Sequence, residues 1–296
     1  MLTRSCWRSK LAYFLISILV LLWFGVLLKH QPERDSLLVG EAVREEQEQV
    51  ETVGEKLLSL NSSDQHSVCL VSSCNSVEMA TSAVVIWLHG LGDSGTANVG
   101  IKSLFTAQFM KNVKWLFPNA PVQRVTANYG AYMPSWFDVG ELPISAQSPE
   151  MEAGVMKTVE SVHAMINKEV EAGVSPDKIF LCGFSQGGAL TLASALFYPE
   201  TLAGAAVFSG WVPLNPEFIS KIPAKAKQTP ILWLHGMNDN IVDFKHGQAG
   251  PPLLEHAGVG CEFKAYPGLG HSISNEELSL LQEFFGRRLG ASSSKE

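Results

Sequence analysis

The sequence predicts an α/β fold, in which helices flank a mostly parallel central sheet, with a transmembrane helix at the amino terminus. Between residues 83 and 289, short apolar runs rich in β-branched side chains alternate with amphipathic segments, which is typical of parallel sheets covered by helices. Residues 11–28 form a separate uncharged apolar segment. The chain has 296 residues, so one large domain with an appendage is the expected organisation.

The amino-terminal segment, LAYFLISILVLLWFGVLL at residues 11–28, is the predicted membrane span. As a helix it would be about 27 Å long, close to the hydrocarbon thickness of a bilayer. A cleaved signal peptide is the alternative. Its apolar core is usually about 7 to 15 residues and is followed by small residues at a cleavage site, which Lys29-His30-Gln31-Pro32 does not provide. We therefore predict a retained span behind a basic segment at residues 1–10.

The charges that flank the span predict the side of the membrane on which the globular domain lies. Three basic residues precede the span and two follow it closely, namely Arg4, Arg8 and Lys10 against Lys29 and Arg34. The positive-inside rule then favours a cytosolic amino terminus. A single-pass protein with its domain in a lumen or outside the cell is the prediction from charge alone.

The remaining boundaries follow from changes in composition. Residues 29–64 are rich in Glu, Gln and Val and are predicted to form an acidic stalk. Its apolar seam spans barely three heptads and contains Glu46, so a solvated linker helix is preferred over a coiled coil. The globular domain is assigned to residues 65–290, and a flexible tail to residues 291–296.

Composition argues against several kinds of partner. The net charge is -7 and basic residues do not cluster, so binding to a nucleic-acid backbone is not expected. The five cysteines are scattered without a C-x-x-C pair or a metal-ligand spacing, so no metal is expected. Cys69 and Cys74 are either free thiols or, in an oxidising compartment, a disulfide.

Six strands and three helices are predicted in the globular domain. The strands are residues 83–89, 113–117, 178–182, 205–208, 231–234 and 262–266. The first helix begins near Ser148-Pro149, which suit a cap and a first helical position, and ends at Gly173. The second begins after Ser185, and the third runs from about Glu276 to Leu289. Their apolar stripes are interpreted as core packing, formed in the first helix by Val155, Val159, Val162, Ile166 and Val170 and in the third by Phe284, Phe285 and Leu289.

A candidate nucleophile lies in Gly183-Phe184-Ser185-Gln186-Gly187, between a predicted strand and a predicted helix. This strand–turn–helix context is that of the nucleophile elbow in α/β-hydrolase folds. Only glycine fits beside so tight a turn, and the strained turn projects the serine hydroxyl above the sheet. The sequence therefore predicts an α/β-hydrolase fold with Ser185 as nucleophile.

A serine nucleophile needs an adjacent base and a carboxylate that orients the base, and in this fold they follow the serine in the order acid, then histidine. Asp239 is the preferred acid because it comes just after the strand at residues 231–234, where ligand-facing loops lie. Asp243 is interpreted as a loop charge or helix cap.

His271 is the preferred base because it lies in a glycine-rich loop, GLGHS at residues 268–272, between the last strand and the last helix. The other histidines near the acid are given ordinary roles. His246 and His256 are interpreted as surface residues, and His235 as the partner of a backbone group.

Negative charge on an attacked carbonyl oxygen requires preorganised donors. The backbone N–H of Gln186 is one predicted donor. The N–H of Leu91 is the other, in the loop HGLGDSG at residues 89–95 after the first strand. This glycine-rich loop lacks the lysine and the spacing of phosphate-binding loops, so acyl chemistry is preferred.

With these motifs in place, residues 83–289 resemble the acyl-protein thioesterase and lysophospholipase-like carboxylesterase family. The matching stretches are WLHGLGDSG at 87–95, LFPNAP at 116–121, MPSWFD at 133–138, GFSQGGAL at 183–190, LHGMND at 234–239 and GLGHS at 268–272. The resemblance implies a Ser185-Asp239-His271 triad, oxyanion donors at Leu91 and Gln186, and no metal or cofactor. It also implies a substrate-binding role for Trp136 beside an apolar groove, the alternative being a buried aromatic without substrate contact.

The resemblance implies acylated substrates, either palmitoylated proteins or lipid and small esters. Removal of palmitate from protein cysteines is the leading hypothesis, and a general carboxylesterase or lysophospholipase is the alternative. A catalytically silent binding module on a hydrolase scaffold is the hypothesis from another class. The family is mostly cytosolic and soluble, which favours a cytosolic domain and contrasts with the span predicted here. Met151-Glu152 also departs from the Asp-Glu that is usual in the family before the glycine of the long helix.

Overall fold

The computed structural model describes residues 83–145, 152–215, 217 and 220–290. The predicted span, stalk and tail, at residues 11–28, 29–64 and 291–296, lie outside the described residues, as do Ser148, Pro149, Cys69 and Cys74. Among the described residues, no helix combines the length and the apolar character needed to cross a bilayer. The membrane assignment therefore stays a prediction from the sequence.

The described part of the chain contains a six-stranded parallel sheet and a separate two-stranded antiparallel hairpin. The strand order in the large sheet is β2-β1-β5-β6-β7-β8, and every neighbouring pair is parallel. All six predicted strands are present, with their ends shifted by at most two residues. The strands are β1 Ala83–Leu88, β2 Val113–Leu116, β3 Val122–Val125, β4 Ala131–Pro134, β5 Ile179–Phe184, β6 Gly204–Phe208, β7 Ile231–Gly236 and β8 Cys261–Tyr266.

The helices occupy the connections between the strands. The α-helices are α1 Gly95–Asn98, α2 Glu152–Glu171, α3 Gln186–Phe197, α4 Phe244–His256 and α5 Asn275–Leu289. Short 3-10 helices are found at Val99–Leu104, Gln108–Met110, Thr126–Asn128, Pro176–Lys178 and Ala226–Gln228. The three predicted helices correspond to α2, α3 and α5. The bounds of α5 follow from local chemistry, because Ser274 and Glu277 form a capping box and Gly290 ends the helix with φ 71°.

Strands β3 and β4 and helices α1 and α4 were not predicted from the sequence. Strands β3 and β4 pair as a hairpin, but four-residue strands are too short to show a clear period. Helix α4 contains Gly247, Gly250 and two prolines, which usually indicate a loop. Tertiary packing explains these glycines, since a Cβ at Gly250 would overlap Trp233 and one at Gly247 would overlap His235.

The core has two layers, one on each face of the sheet. Alternate residues of β1 point to opposite faces, so Val84, Ile86 and Leu88 belong to one buried cluster and Val85 and Trp87 to the other. Helices α2 and α3 cover the first face, and α5 covers the second. Burial on both faces explains why these strands are continuously apolar.

Phe285 on α5 is expected to be important for stability, because it is fully buried and its ring contacts those of Phe105, Trp115 and Phe180. Phe285→Ala should lower the free energy of unfolding by about 3 to 5 kcal/mol, as measured by urea denaturation. Leu253→Ala on α4 is the control, since Leu253 is 44% exposed and its loss should change stability by about 0.5 kcal/mol or less. Equal effects of the two changes would contradict the assignment of Phe285 to the core.

Candidate active site

Ser185 lies in a tight turn between β5 and α3. Its backbone has φ 56° and ψ -120°, in a region that few residues other than glycine adopt. Hydrogen bonds hold the turn on both sides, from the Ser185 N–H to the Phe208 carbonyl at 2.8 Å and from the Ala189 N–H to the Ser185 carbonyl at 3.0 Å. The strained backbone presents the hydroxyl at the carboxyl edge of the sheet.

Glycine is required on both sides of this turn. A Cβ at Gly183 would overlap the carbonyl oxygen of Gly187, and a Cβ at Gly187 would overlap the carbonyl oxygen of Leu88. Both positions are therefore sites of close backbone packing between β5, α3 and β1. These contacts confirm the prediction that only glycine fits beside the turn at Ser185.

Two hydrogen bonds connect Ser185, His271 and Asp239 in a row. His271 Nε2 lies 2.9 Å from Ser185 Oγ, and His271 Nδ1 lies 2.7 Å from Asp239 Oδ2. Because an ionised carboxylate can only accept, the ring proton is on Nδ1 and the lone pair of Nε2 faces the hydroxyl. Such a row can take the hydroxyl proton while the oxygen attacks a carbonyl carbon.

The loops that carry Asp239 and His271 are held together by their backbones. The N–H of Asn238 donates to the Leu269 carbonyl, and the N–H of Met237 donates to the Tyr266 carbonyl, both at 2.9 Å. The His271 ring also lies 4.7 Å from the ring of Phe184 at the end of β5. The imidazole is therefore held between the acid loop and the serine turn.

The Asp239 carboxylate is fully buried as a side chain. Its Oδ1 accepts the backbone N–H groups of Ile241 and Val242, each at 2.9 Å. Burial by itself would raise the pKa of Asp239, but the hydrogen bonds from His271, Ile241 and Val242 outweigh this effect and hold the pKa below its usual value. Asp239 is therefore ionised at neutral pH.

His235 lies behind the acid. It is buried, and its Nε2–H donates to the Val242 carbonyl at 3.1 Å, which agrees with the predicted backbone partner. The same nitrogen is 3.5 Å from Asp239 Oδ2. Burial lowers the pKa of His235, against the opposing effects of the Val242 carbonyl and the Asp239 charge. A neutral His235 thus supports the acid loop and does not compete with His271.

The alternative acid and bases lie outside the row. The Asp243 carboxylate accepts the Lys245 N–H at 3.0 Å and caps α4, which confirms its interpretation as a cap. His256 is exposed on α4, whereas His246 is half-buried, so the prediction of a surface histidine is confirmed only for His256.

The loop after β1 borders Ser185. Gly90, Leu91 and Gln186 line the same cleft as Ser185, and a Cβ at Gly90 would lie only 3.5 Å from the Ser185 Cβ. The two predicted donors, the N–H groups of Leu91 and Gln186, therefore belong to segments that border the serine. Donors at this place can stabilise negative charge on an attacked carbonyl oxygen.

Trp136 differs from its predicted role. It is only 3% exposed and is not among the residues that line the cleft. Its indole N–H donates to the His89 carbonyl at 2.8 Å. The structure thus places Trp136 behind the loop that follows β1, in agreement with the alternative of a buried aromatic.

The cleft beside Ser185 has a volume of about 210 Å³ and mostly apolar walls. These walls were not predicted from the sequence, and they are formed by Leu91, Val139, Leu142, Ile144, Phe184, Trp211, Ile241 and Val242. Ile144 closes one side, since its N–H donates to the Ile241 carbonyl at 2.7 Å and its carbonyl accepts the Asp243 N–H at 2.9 Å. The only available signal was the apolar character of ELPI at residues 141–144, in a stretch without periodicity.

Two further features bear on the chemistry. Within the described ranges, no group of three or more His, Cys, Asp or Glu side chains is arranged to hold a metal ion. Cys182 is buried in β5, and this burial raises the pKa of its thiol far above the usual value. Cys182 is therefore a core residue and not a second nucleophile.

Residues 72–287 match the family model described as phospholipase/carboxylesterase. The chain belongs to this family. A probable carboxylesterase, SOBER1-like, from Arabidopsis thaliana is 54% identical over 235 residues, which cover 79% of this chain and 88% of that protein. Acyl-protein thioesterase 1 from Cryptococcus neoformans is 38% identical over 219 residues, covering 69% of this chain and 92% of that protein.

The crystal structure of Arabidopsis thaliana SOBER1 is 56% identical, with a TM-score of 0.69, and the match covers 70% of this chain and 99% of that one. The domain therefore has the α/β-hydrolase fold that the elbow motif predicted. Membership in a family of carboxylesterases and thioesterases identifies the protein as an esterase-type hydrolase.

The buried carboxylate makes stability depend on pH. The pKa of Asp239 is lower in the folded protein than the value of about 4 expected in the unfolded chain, so the unfolded state binds more protons near that pH. The stabilisation by Asp239 is then present above about pH 4 and is lost as the pH falls. In urea denaturation between about pH 7 and pH 3, Asp239→Asn should lose less stability than the wild type. Equal acid sensitivity would contradict the proposed state of the carboxylate.

Proposed function

We propose that this protein is a serine hydrolase that cleaves carboxylic esters and thioesters, with Ser185 as nucleophile, His271 as base and Asp239 as the orienting acid. The observation that carries the proposal is the row of hydrogen bonds at 2.9 and 2.7 Å beside a cleft with apolar walls. An apolar cleft suits an acyl chain, and the row supplies the nucleophile beside it.

In the first half of the reaction, Ser185 Oγ forms a bond to the acyl carbonyl carbon and its proton passes to His271 Nε2. The carbonyl oxygen becomes negatively charged and accepts hydrogen bonds from the N–H groups of Leu91 and Gln186. The buried charge of Asp239 stabilises the imidazolium. When the bond to the leaving alcohol or thiol breaks, His271 returns the proton to that group, and the acyl chain remains on Ser185.

In the second half, water takes the place of the leaving group. His271 accepts a proton from the water, whose oxygen attacks the acyl carbon, and the same donors hold the oxyanion. Release of the carboxylic acid returns a proton through His271 to Ser185 Oγ. Each half uses the same three side chains, so loss of one of them stops both.

The dimensions of the cleft favour short acyl groups. Its volume of about 210 Å³ is below the range of about 300 to 1,000 Å³ that is usual for sites enclosing a drug-sized ligand. One wall is closed by two backbone hydrogen bonds, from the Ile144 N–H to the Ile241 carbonyl and from the Asp243 N–H to the Ile144 carbonyl. Short acyl esters and thioesters are therefore the substrates that the geometry supports best.

Removal of palmitate from proteins is the second candidate. It is favoured by the resemblance to acyl-protein thioesterase 1 and by Leu142 and Ile241, which are 45% and 36% exposed at the cleft. A long chain would extend out of the cleft and lie over this apolar rim. Acylated proteins or lipid esters would then be the natural partners.

Three variants test the triad. Ser185→Ala, His271→Ala and the double variant should each lose kcat by similar factors, on the order of 10⁴ or more, because the side chains act together. The measurement is ester hydrolysis with purified protein. A fluorophosphonate should label the wild type and not Ser185→Ala. Losses that multiply in the double variant, or a wild type that is neither active nor labelled, would contradict the proposal, and the second result would favour the silent binding module.

Acyl length is tested with one cysteine peptide carrying acetyl, octanoyl or palmitoyl thioesters, so that the leaving group stays constant. The small cleft predicts a kcat/KM for the acetyl or octanoyl peptide at least about tenfold above that for the palmitoyl peptide, because only the shorter chains fit without leaving the cleft. A palmitoyl preference of similar size would establish the second candidate instead.

A further inference from the structure

Trp136 contacts the oxyanion loop although it does not line the cleft. Its indole N–H donates to the His89 carbonyl at 2.8 Å. The centroids of the Trp136 and His89 rings lie 5.1 Å apart. His89 directly precedes Gly90 and Leu91, the segment that borders Ser185. The side chain of Trp136 therefore holds one of the two donor segments.

The same stretch of chain is also attached to the other donor segment. The backbone N–H of Trp136 donates to Gln186 Oε1 at 3.0 Å, and Gln186 Nε2 donates to the Phe137 carbonyl at 2.7 Å and to Ser135 Oγ at 3.0 Å. Gln186 is completely buried. Its backbone N–H is the second oxyanion donor in the proposed mechanism. Residues 135–137 thus connect the two donor segments.

The position of the His89 carbonyl is restricted from its other sides as well. The His89 ring donates from Nδ1 to the Gly90 carbonyl at 2.7 Å and accepts the Ala120 N–H at Nε2 at 3.0 Å. The tautomer follows because a carbonyl only accepts and an N–H only donates. A Cβ at Gly187 would lie 2.6 Å from the His89 carbonyl oxygen. This carbonyl is therefore packed between the start of α3 and the indole of Trp136.

We propose that Trp136 is a positioning residue of the oxyanion site, which sets the Leu91 donor relative to the Gln186 donor. The proposal rests on the proposed function, because it concerns the donors used there. Two donors stabilise an oxyanion only if both lie about 2.7 to 3.1 Å from it. A displacement of about 1 Å can cost a factor of about 10² in rate. The hydrogen bond from Trp136 to the loop after β1, together with the hydrogen bonds between Gln186 and residues 135–137, keeps this spacing constant.

Trp136→Phe tests the proposal, since phenylalanine keeps an apolar ring but lacks the indole N–H. We expect kcat to fall about tenfold to a hundredfold with KM within about twofold of the wild type, because the lost interaction acts on the transition state. The affinity for an alkyl boronic acid, which forms a tetrahedral adduct with the active serine, should fall in parallel. A purely structural role would not separate kcat from KM in this way.

Trp233→Phe is the matched control. Trp233 is fully buried in β7, and its indole N–H has no hydrogen-bond partner in the part of the chain that the structure describes. Trp233→Phe removes the same atoms as Trp136→Phe but no hydrogen bond. Stability should therefore fall, while kcat, KM and the affinity for the boronic acid stay within about twofold of the wild type. Equal kinetic losses in the two variants would overturn the proposal. A rise in KM at unchanged kcat for Trp136→Phe would also overturn it, and would assign Trp136 to substrate contact.

Gln186→Met tests the same connection from the side of α3, and it replaces Trp136→Phe if that variant does not fold. The change removes the side-chain hydrogen bonds to residues 135–137 and keeps the backbone N–H of residue 186. We expect the same loss of kcat and boronic acid affinity, and unchanged values would overturn the proposal. Ser185→Ala distinguishes failure of the proposed function from failure of the role of Trp136. If Ser185→Ala stays active, the proposed function fails. If Ser185→Ala is inactive and Trp136→Phe is fully active, only the role of Trp136 is refuted.

Discussion

The hydrogen bond between His271 Nε2 and Ser185 Oγ, at 2.9 Å, joins two loops that follow strands β5 and β8, which are separated in the sheet by β6 and β7. Such a contact is possible because all strands of a parallel sheet end at the same edge. The sheet has to remain parallel and continuous across these four strands for the contact to form. Its doubly buried apolar strands and the close packing around Gly183 and Gly187 serve this requirement.

The electrostatics of the site depend on how the buried charge of Asp239 is compensated. Two backbone N–H groups and the His271 ring donate to its carboxylate, which replaces the water that burial removes. His235 stays neutral and holds the acid loop through the Val242 carbonyl. A fixed negative charge can then stabilise an imidazolium without reorganisation of solvent.

Irregular segments attach both a wall of the cleft and the loop after β1 to neighbouring parts of the site. Ile144 links a cleft wall to the acid loop by backbone hydrogen bonds, and the segment that contains Trp136 links the loop after β1 to Gln186. In the proposed mechanism, the fit of the substrate and the stabilisation of charge would thus depend on irregular segments between regular elements. This agrees with a family in which carboxylesterases and thioesterases share one scaffold.

The amino-acid sequence by itself determined the six parallel strands, the elbow at Ser185 and the choice of Asp239 and His271, because each depends on local chemistry or on the fixed order of motifs along the chain. It did not reveal helix α4, whose glycines and prolines oppose helix formation locally and are explained only by packing against Trp233 and His235. The apolar walls and the position of Trp136 were also decided by the tertiary structure. These features arise from contacts between segments distant in sequence, and such contacts leave no periodic pattern in the residues that make them.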